Sequence, residues 1–298
     1  MTVARVALET TLLVHGVPPA EGRVLARRLA DICRGEGAIP AIVGVLAGRP
    51  IVGMTDAELE QLLAAASGPA GPRGVAKLNS GNLGAAMFRG DHGATTVSAT
   101  MELAARAGVS VFATGGLGGV HPTRAGSAPH FDISADLGAF ARYPVAVVTS
   151  GVKSILDVAA TRELLETLGV CVVGYQTDDF PAFYMRRAGD PGLAVGPVDV
   201  RFDDSRDLAK FVRAELARSN RGIVVCNPIP AGHEIALADW KRWLAEAEGR
   251  AHAKGISGRG VTPAVLGALH EGSGGAALRA NLALVESNTR LAARIAAG

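Results

Sequence analysis

The sequence predicts a layered α/β fold, and two observations support that prediction. Short apolar runs rich in β-branched residues alternate with longer amphipathic segments along the 298 residues. Apolar residues make up 48% of the chain and charged residues 19%, which is enough apolar material for a large core and too little charge for a disordered protein. Neither an internal repeat nor a long linker divides the sequence, so we expect a single domain over residues 1–298.

The alternating segments give the expected order of strands and helices. Apolar runs of strand length predict β-strands at residues 39–46, 109–114, 145–149, 170–175 and 222–226. Apolar residues at helical spacing predict α-helices at residues 20–36, 55–66, 98–107, 154–168, 204–219, 236–253 and 276–297. Stretches rich in glycine and proline, at residues 66–74 and 186–197, predict loops.

Charge and cysteine content argue against several classes of protein. The formal net charge is +2 without a long basic run, so we expect neither a nucleic-acid partner nor a membrane surface. A run of about 18 apolar residues, which a membrane span would need, is missing. Cys33, Cys171 and Cys226 are odd in number and far apart, which favours reduced thiols. Glu9 interrupts the first apolar run, which is therefore a poor signal peptide, and we expect a cytoplasmic protein.

Two lysines stand out because the chain otherwise prefers arginine. Of its 30 basic residues only five are lysines, and two of these, Lys77 and Lys153, follow apolar segments. A desolvated lysine can lose its proton and act as a nucleophile or base, which an arginine cannot do. Ser154 and Asp157 form a capping-box pattern that predicts a helix start directly after Lys153. The positive end of that helix would favour a neutral amine, so we interpret Lys153 as a reactive lysine.

Three further motifs each allow a structural and a functional interpretation. A glycine-rich loop precedes His121 and is either a tight turn or a set of backbone amides for an anion. Asp132, Ser134 and Asp136 alternate before a helix, and they either cap that helix or bind magnesium, manganese or a polar substrate. Glu9 lies in an apolar run, where it is either half of a buried ion pair or a proton donor with a raised pKa.

Polar and aromatic residues near the end of the chain are also ambiguous. Asn281 and Asn288 lie on an apolar stripe of the last predicted helix. They belong either to a buried hydrogen-bond network or to a ligand contact. The aromatic cluster at residues 180–184 predicts a packing element, with contact to a planar ligand ring as the alternative.

These motifs also occur, in this order, in a known family. The chain resembles the pseudouridine-5′-phosphate glycosidases, also called indigoidine synthase A-like proteins, over residues 6–297. The segments that carry the resemblance are ALETTLLVHGVP, EGAIPAIVGVLAG, GATTVSATM, FATGGLGGVH, FDISADL, GVKSILD, TDDFPAFY, NPIP, VTPAVL and NLALVESNTRLAARIA. Many separate matches make this resemblance specific, whereas each motif alone is not.

The resemblance implies a fold and an activity. The fold is a three-layer α/β/α arrangement with a central mixed sheet, the indigoidine synthase A-like fold, assembled as a homotrimer. The activity is reversible cleavage of the carbon–carbon glycosidic bond of pseudouridine 5′-phosphate to uracil and ribose 5-phosphate. Lys153 resembles the nucleophile that forms an imine with the ring-opened ribose, and Glu9 resembles the proton donor. The partners are therefore a sugar phosphate and a nucleobase.

Matching motifs imply further site residues. Asp132 resembles the ligand of a manganese ion, one per subunit. The other positions resemble substrate contacts, and they are Lys77, Val97, His121, Ser134, Ala135, Asp136 and Asn288.

The chain departs from the family pattern near the expected phosphate site. The stretch LNSGNL after Lys77 replaces arginine-rich sequence, and Pro122 replaces an arginine. Elsewhere, Thr10 replaces a serine and Gln176 a glycine. Two alternatives therefore stay open: a C-glycosynthase that joins ribose 5-phosphate to another acceptor ring, and a non-catalytic protein that binds a sugar phosphate.

Overall fold

One mixed sheet of ten strands lies between two layers of helices in the computed structural model. The structure describes residues 3–68, 74–122, 131–187, 196–253 and 261–298. This arrangement confirms the predicted three-layer α/β/α fold with a central mixed sheet. Within those ranges no helix is long and apolar enough to cross a membrane.

The strands are short and the helices vary widely in length. The strands are β1 (Arg5–Glu9), β2 (Ile39–Leu46), β3 (Arg49–Val52), β4 (Ala76–Leu78), β5 (Gly93–Thr95), β6 (Val111–Ala113), β7 (Ala146–Thr149), β8 (Cys171–Tyr175), β9 (Val200–Phe202) and β10 (Ile223–Cys226). The helices are α1 (Thr11–His15), α2 (Pro19–Gly35), α3 (Asp56–Ser67), α4 (Leu83–Arg89), α5 (Val97–Arg106), α6 (Ala135–Phe140), α7 (Val158–Thr167), α8 (Ser205–Ser219), α9 (Leu237–Ala253), α10 (Val261–Gly272) and α11 (Ala276–Ala297).

The order of strands in the sheet brings four carboxyl ends to one edge. The sheet runs β4-β5-β2-β1-β6-β7-β10-β8-β9, and β3 pairs with β2. The β1, β6, β7 and β10 strands are parallel neighbours. Ligands of α/β sheets bind where the carboxyl ends of such strands meet. The β2 strand pairs antiparallel with β3 and β5, which makes the sheet mixed.

Two apolar cores fill the space on either side of the sheet. Successive residues of a strand point to opposite faces, so each central strand supplies both cores. In β1, for example, Val6 and Leu8 pack into the core formed with α2, α3, α8 and α11, whereas Ala7 packs into the core formed with α5 and α6. Central strands buried on both faces are continuously apolar, as the sequence pattern predicted.

The predicted strands and helices are all present, and most of their ends differ from the prediction by one or two residues. The helix expected after the Asp132–Asp136 motif is α6, and the apolar run around Glu9 forms β1. Elements for which no range was predicted are β1, β3, β4, β5, β9, α1, α4, α6 and α10. Most of them have three to seven residues, which is too short for a periodic pattern to be visible. The loops predicted at residues 66–74 and 186–197 lie largely outside the described residues.

The predicted helix start after Lys153 is wrong. The α7 helix begins at Val158, and Asp157 caps it by accepting a hydrogen bond from the Ala160 N–H. The Ser154 hydroxyl instead donates to the Ala182 carbonyl at 2.6 Å. Ser154 is drawn away from the helix because a segment distant in sequence offers it a partner, so Lys153 does not lie at a helix N-terminus.

The cysteines agree with a reduced protein. Cys33 and Cys226 are buried, Cys171 is partly buried, and all three are free thiols. Burial raises the pKa of each thiol above its ordinary value. These thiols are therefore packing residues rather than reactive groups.

Candidate active site

The candidate site lies at the carboxyl edge of the four parallel strands. Glu9 is the last residue of β1, and Thr114, Ser150 and Asn227 directly follow β6, β7 and β10. Since these strands are parallel neighbours, their ends place polar side chains from four distant parts of the sequence side by side.

Glu9 keeps some exposed surface, yet most of its surroundings at this edge are protein. Burial raises the pKa of its carboxyl above the ordinary value, and the charge of Lys153 and a hydrogen bond from the Thr114 hydroxyl offset this only in part. The charge of Asp136 raises the pKa further, and Lys77 lowers it. A carboxyl group in such surroundings holds its proton to a higher pH than a free glutamate does, which suits a proton donor.

Lys153 lies in a loop held against the glycine-rich segment. The Leu117 N–H donates to the Gly151 carbonyl at 2.9 Å, and the Lys153 N–H donates to the Leu117 carbonyl at 3.1 Å. A Cβ atom added to Gly116 would lie 3.4 Å from Cγ of Lys153. The glycine therefore leaves room for the lysine side chain, and the Lys153 charge is near enough to act on Glu9 and Lys77.

Lys77 belongs to the same electrostatic cluster although it reaches the site from the other end of the sheet. It lies on β4, where it pairs in register with Ala94 of β5. The residue stays exposed to water, yet desolvation by the surrounding protein lowers the pKa of its ammonium, and the charge of Lys153 lowers it further. The negative charges of Glu9 and Asp136 raise the pKa of Lys77. Lys77 and Lys153 together make the cleft attractive to an anion.

Asp136 and Ser134 organise the glycine-rich loop. The Asp136 carboxylate accepts hydrogen bonds from the N–H groups of Ser98 at 3.0 Å and Gly118 at 2.9 Å. Ser134 caps α6 by accepting from the Asp136 N–H. A Cβ atom on Gly118 would lie 2.2 Å from the Ser134 hydroxyl oxygen, so only glycine allows this approach. The capping interpretation of the alternating acidic motif is therefore correct for Ser134.

The other predicted contacts lie around this loop. Val97 is the first residue of α5 and is buried, and it directly precedes Ser98, whose N–H donates to Asp136. Ala135 opens α6 and is partly exposed. The asparagines that follow Lys77 bond locally, since the Asn82 amide donates to the Lys77 carbonyl at 3.1 Å. That local turn replaces the basic side chains expected from the resemblance.

Asp132 and His121 lie close to each other, and both side chains are partly exposed to solvent. The His121 N–H donates to the Asp132 carbonyl at 2.9 Å, and the His121 Nδ1 lies 4.0 Å from the Asp132 carboxylate. In the part of the chain that the structure describes, no three His, Cys, Asp or Glu side chains converge as a metal site. The Asp132 carboxylate is more than half exposed. Asp132 can supply a single carboxylate ligand to a divalent ion, and the described residues do not form a closed protein site.

The two asparagines of α11 differ sharply in their hydrogen bonding. The Asn288 amide donates to the Thr114 carbonyl at 2.8 Å, and its carbonyl accepts from Asn227 at 2.9 Å. The Asn281 side chain is also buried, but its Oδ1 has no hydrogen-bond partner. A Cβ atom on Gly115 would lie 3.3 Å from this oxygen. This oxygen has almost no accessible surface, so a ligand N–H reaches it only after the adjoining glycine-rich loop moves.

Three residues near the site carried no clear functional signal in the sequence. Thr114 and Ser150 are single hydroxyl residues after apolar strands, and only the pairing of those strands shows their role. Phe183 has a φ of 60° and its ring packs against Gly115 and Gly116 of the glycine-rich loop. The aromatic cluster at residues 180–184 suggested packing, and Phe183 and Tyr184 are indeed buried with ring centroids 4.4 Å apart.

The site thus combines a lysine, a carboxyl group with a raised pKa, a second lysine and an unpaired amide oxygen. A lysine can attack an electrophilic carbon, and the carboxyl group can protonate the oxygen that departs from it. The second lysine can bind a phosphate. This set of groups suits covalent chemistry on a sugar phosphate.

Two curated relatives match nearly the whole chain. Pseudouridine-5′-phosphate glycosidase of Solibacter usitatus is 43% identical over 98% of this chain and 92% of its own length. The enzyme of the same name from Methylobacterium nodulans is 45% identical over 98% of this chain and 82% of its own length.

Two solved structures share the fold. An indigoidine synthase A-like protein from Thermotoga maritima has a TM-score of 0.84 and 36% identity, covering 99% of this chain and 92% of its own. The prealnumycin C-glycosynthase AlnA, in complex with ribulose 5-phosphate, has a TM-score of 0.84 and 35% identity, covering 99% of this chain and 91% of its own. The family model described as indigoidine synthase A like protein matches residues 2–298, and the chain belongs to that family.

Proposed function

We propose that this protein is an enzyme that reversibly cleaves pseudouridine 5′-phosphate to uracil and ribose 5-phosphate. The observation that carries the proposal is that Glu9, Lys153 and Lys77 lie near enough for the charges of the lysines to act on a protonatable carboxyl. Relatives that are 43% and 45% identical over nearly the whole chain bear the name of this activity.

The bond to be broken joins two carbon atoms, so protonation of a leaving oxygen cannot cleave it directly. In the proposed reaction the neutral Lys153 amine attacks the anomeric carbon of the ribose. The bond from that carbon to the ring oxygen breaks, and Glu9 gives its proton to this oxygen. The attacking nitrogen loses a proton and becomes a secondary amine.

The second half of the reaction releases the base. The nitrogen lone pair forms a carbon–nitrogen double bond, the bond to C5 of uracil breaks, and C5 takes up a proton. Water then hydrolyses the imine, which returns Lys153 and gives ribose 5-phosphate. Two protons enter, at the ring oxygen and at C5, and two leave, at the lysine nitrogen and on hydrolysis.

The residues around this lysine divide the remaining tasks. Lys77 and His121 bind the phosphate, and Asp136 and Ser134 hold the loop that faces the sugar. Once the glycine-rich loop moves to admit the base, the unpaired Asn281 oxygen, which is buried here, accepts an N–H of the base. A manganese ion, one per subunit, would be held by Asp132 and would supply charge neutralisation to the phosphate. A homotrimer and a cytoplasmic location complete the proposal, and sedimentation analysis tests the assembly.

The test is direct measurement of both directions. The protein is incubated with pseudouridine 5′-phosphate and Mn²⁺, and uracil is measured by chromatography; uracil with ribose 5-phosphate tests the reverse. Glu9→Gln, which cannot donate a carboxyl proton, should lose activity by about 10²-fold or more. Glu21→Gln on the exposed face of α2 is the matched control. The proposal is refuted if the protein forms no uracil in the forward reaction and no pseudouridine 5′-phosphate in the reverse reaction.

A C-glycosynthase for another acceptor ring is the second candidate. The likeness to AlnA favours it, and so do Pro122 and the local asparagine turn where the resemblance leads us to expect basic residues. The lower identity to AlnA, 35% against 43–45% for the glycosidases, places it second. A panel of acceptor rings with ribose 5-phosphate separates the two. The third alternative is a non-catalytic protein that binds a sugar phosphate. It predicts no turnover, and it predicts that Lys153→Ala leaves sugar-phosphate binding unchanged.

A further inference from the structure

Asn288 lies at the centre of a buried polar network rather than at the surface of the cleft. The residue has no exposed surface. Its amide nitrogen lies 2.8 Å from the Thr114 carbonyl and 3.1 Å from the Ser150 hydroxyl, and its carbonyl accepts from Asn227. Protein groups therefore bond to both the nitrogen and the oxygen of the amide, so neither atom points toward a ligand.

The partners of Asn288 are the first residues after three neighbouring strands. Thr114 follows β6, Ser150 follows β7 and Asn227 follows β10. The Ser150 hydroxyl also donates to the Asn227 carbonyl at 2.9 Å, which closes the network. One side chain from α11 thus bonds to the backbone after β6 and to side chains that follow β7 and β10, at the sheet edge where the functional residues lie.

Thr114 connects this network to the candidate proton donor. Its carbonyl accepts from Asn288, whereas its hydroxyl donates to Oε1 of Glu9. Thr114 is almost fully buried, so its hydroxyl has no water with which to exchange this bond. Because β1 and β6 pair, a shift of Thr114 by a fraction of an ångström changes the direction of the bond to Glu9.

We propose that Asn288 is a positioning residue that acts through Thr114 to hold the Glu9 carboxyl in the orientation for proton donation. The proposal rests on the proposed role of Glu9, and it assigns Asn288 no contact with substrate. It differs in this from the substrate contact that the family resemblance implies for Asn288.

The hydrogen bond from the Thr114 hydroxyl shifts the pKa of Glu9 in a definite direction. A hydroxyl that donates to a carboxylate stabilises the charged form, so its removal raises the pKa of the acid. The other charged groups that act on Glu9 are Lys153, Lys77 and Asp136, and the substitutions below leave them in place. A proton donor is active in its protonated form, so a higher pKa moves the alkaline loss of activity to higher pH.

The principal variant is Thr114→Val, which removes the hydroxyl and keeps the shape of the side chain. We expect kcat to fall by about 10²-fold through misplacement of the acid, with KM changed less than about threefold. The alkaline limb of the pH profile should move to higher pH. Thr114→Ser keeps the donor and should recover most of the loss.

Asn288→Ala should give the same pattern because it releases the Thr114 carbonyl. In the double variant Thr114→Val/Asn288→Ala, the loss of kcat should stay close to that of one single variant, since both act on one contact. Thr289→Val is the control: Thr289 is buried beside Asn288, but its hydroxyl bonds within α11 to the Val285 carbonyl. Thermal unfolding of each variant verifies that it is folded.

A readout independent of turnover separates this inference from the proposed function. The protonation of Glu9 is followed by infrared difference spectroscopy, with Glu9→Gln identifying its band. An upward shift of the midpoint in Thr114→Val and Asn288→Ala supports the inference even if wild-type protein releases no uracil, a result that would refute only the proposed function. An unchanged midpoint overturns the inference. Multiplicative losses in the double variant, or a raised KM with unchanged kcat in Asn288→Ala, overturn it as well.

Discussion

The proposed covalent chemistry depends on Lys153, and Lys153→Arg is the most informative substitution for testing it. Arginine keeps the positive charge but cannot form an imine. With ribose 5-phosphate and borohydride, the wild-type protein should give a reduced adduct that peptide mass mapping places at Lys153. Lys153→Arg should give none and should lose at least about 10³-fold in kcat.

The control for this experiment is Lys210→Arg. Lys210 is an exposed lysine of α8 that pairs with Asp207 at 2.8 Å. This variant should form the adduct at the wild-type rate. An adduct that persists in Lys153→Arg, or that maps to Lys77 in the wild type, would reject Lys153 as the nucleophile.

Lys77 should give phosphate binding a pH dependence. Its pKa lies below 10.5, so the ammonium is lost at a lower pH than in a free lysine. Affinity for ribose 5-phosphate should therefore weaken as the pH rises through that lowered pKa. In Lys77→Arg the affinity should stay constant over the same range, because a guanidinium remains charged. Calorimetric titration between about pH 7 and 10 measures this, and an identical decline in the two proteins would contradict it.

Single residues also show what sequence reasoning can reach. Glu9 and Lys153 could be singled out because a charged group in an apolar run needs an explanation. Asn281 and Asn288 could not be told apart, since they lie on the same stripe of one helix. Their difference depends on partners that follow β6, β7 and β10, which only the folded sheet brings together.

At the scale of elements, the glycine-rich loop and α6 form one unit. Gly118→Ala would place a Cβ atom 2.2 Å from the Ser134 hydroxyl and 2.8 Å from the Asp136 carboxylate. The loop would have to move, and Asp136 would lose its bond to the Gly118 amide. We expect a loss of about 10²-fold in kcat/KM, since a displacement of about 1 Å is costly at such a site.

Gly138→Ala is the matched control for that variant. Gly138 lies within α6, and an added Cβ would meet nothing within 4 Å. Its replacement should leave kcat/KM unchanged and should stabilise the helix by about 0.5–1 kcal/mol, measured as the free energy of unfolding. Equal activities for the two variants would show that the loop tolerates displacement.

Elements were predictable where periodicity extends over several turns or a full strand. The α11 and β2 boundaries match the prediction, whereas α7 begins four residues later than expected. The capping pattern at Ser154 failed because its hydroxyl bonds to Ala182, a partner 28 residues away. Local capping rules weigh nearby backbone groups only, so a tertiary partner can override them.

At the scale of the whole molecule, the fold does not decide which ring the enzyme uses. The AlnA C-glycosynthase and the Thermotoga protein superpose equally well, each with a TM-score of 0.84. Sugar chemistry at Lys153 and base recognition should therefore be separable. The residue to separate them is Asn281, whose buried oxygen has no partner and lies against Gly115 of the glycine-rich loop.

Asn281→Leu should impair handling of the base and spare handling of the sugar. The variant keeps the volume of the side chain but removes the acceptor, so uracil-dependent formation of pseudouridine 5′-phosphate should fall by about tenfold. The borohydride adduct of ribose 5-phosphate at Lys153 should form within about threefold of the wild-type rate, because the sugar needs no contact with Asn281. Arg279→Leu on the exposed face of α11 is the control and should change neither. If both activities fell together, Asn281 would serve the sugar or the fold, and the choice of acceptor ring would have to lie elsewhere in the cleft.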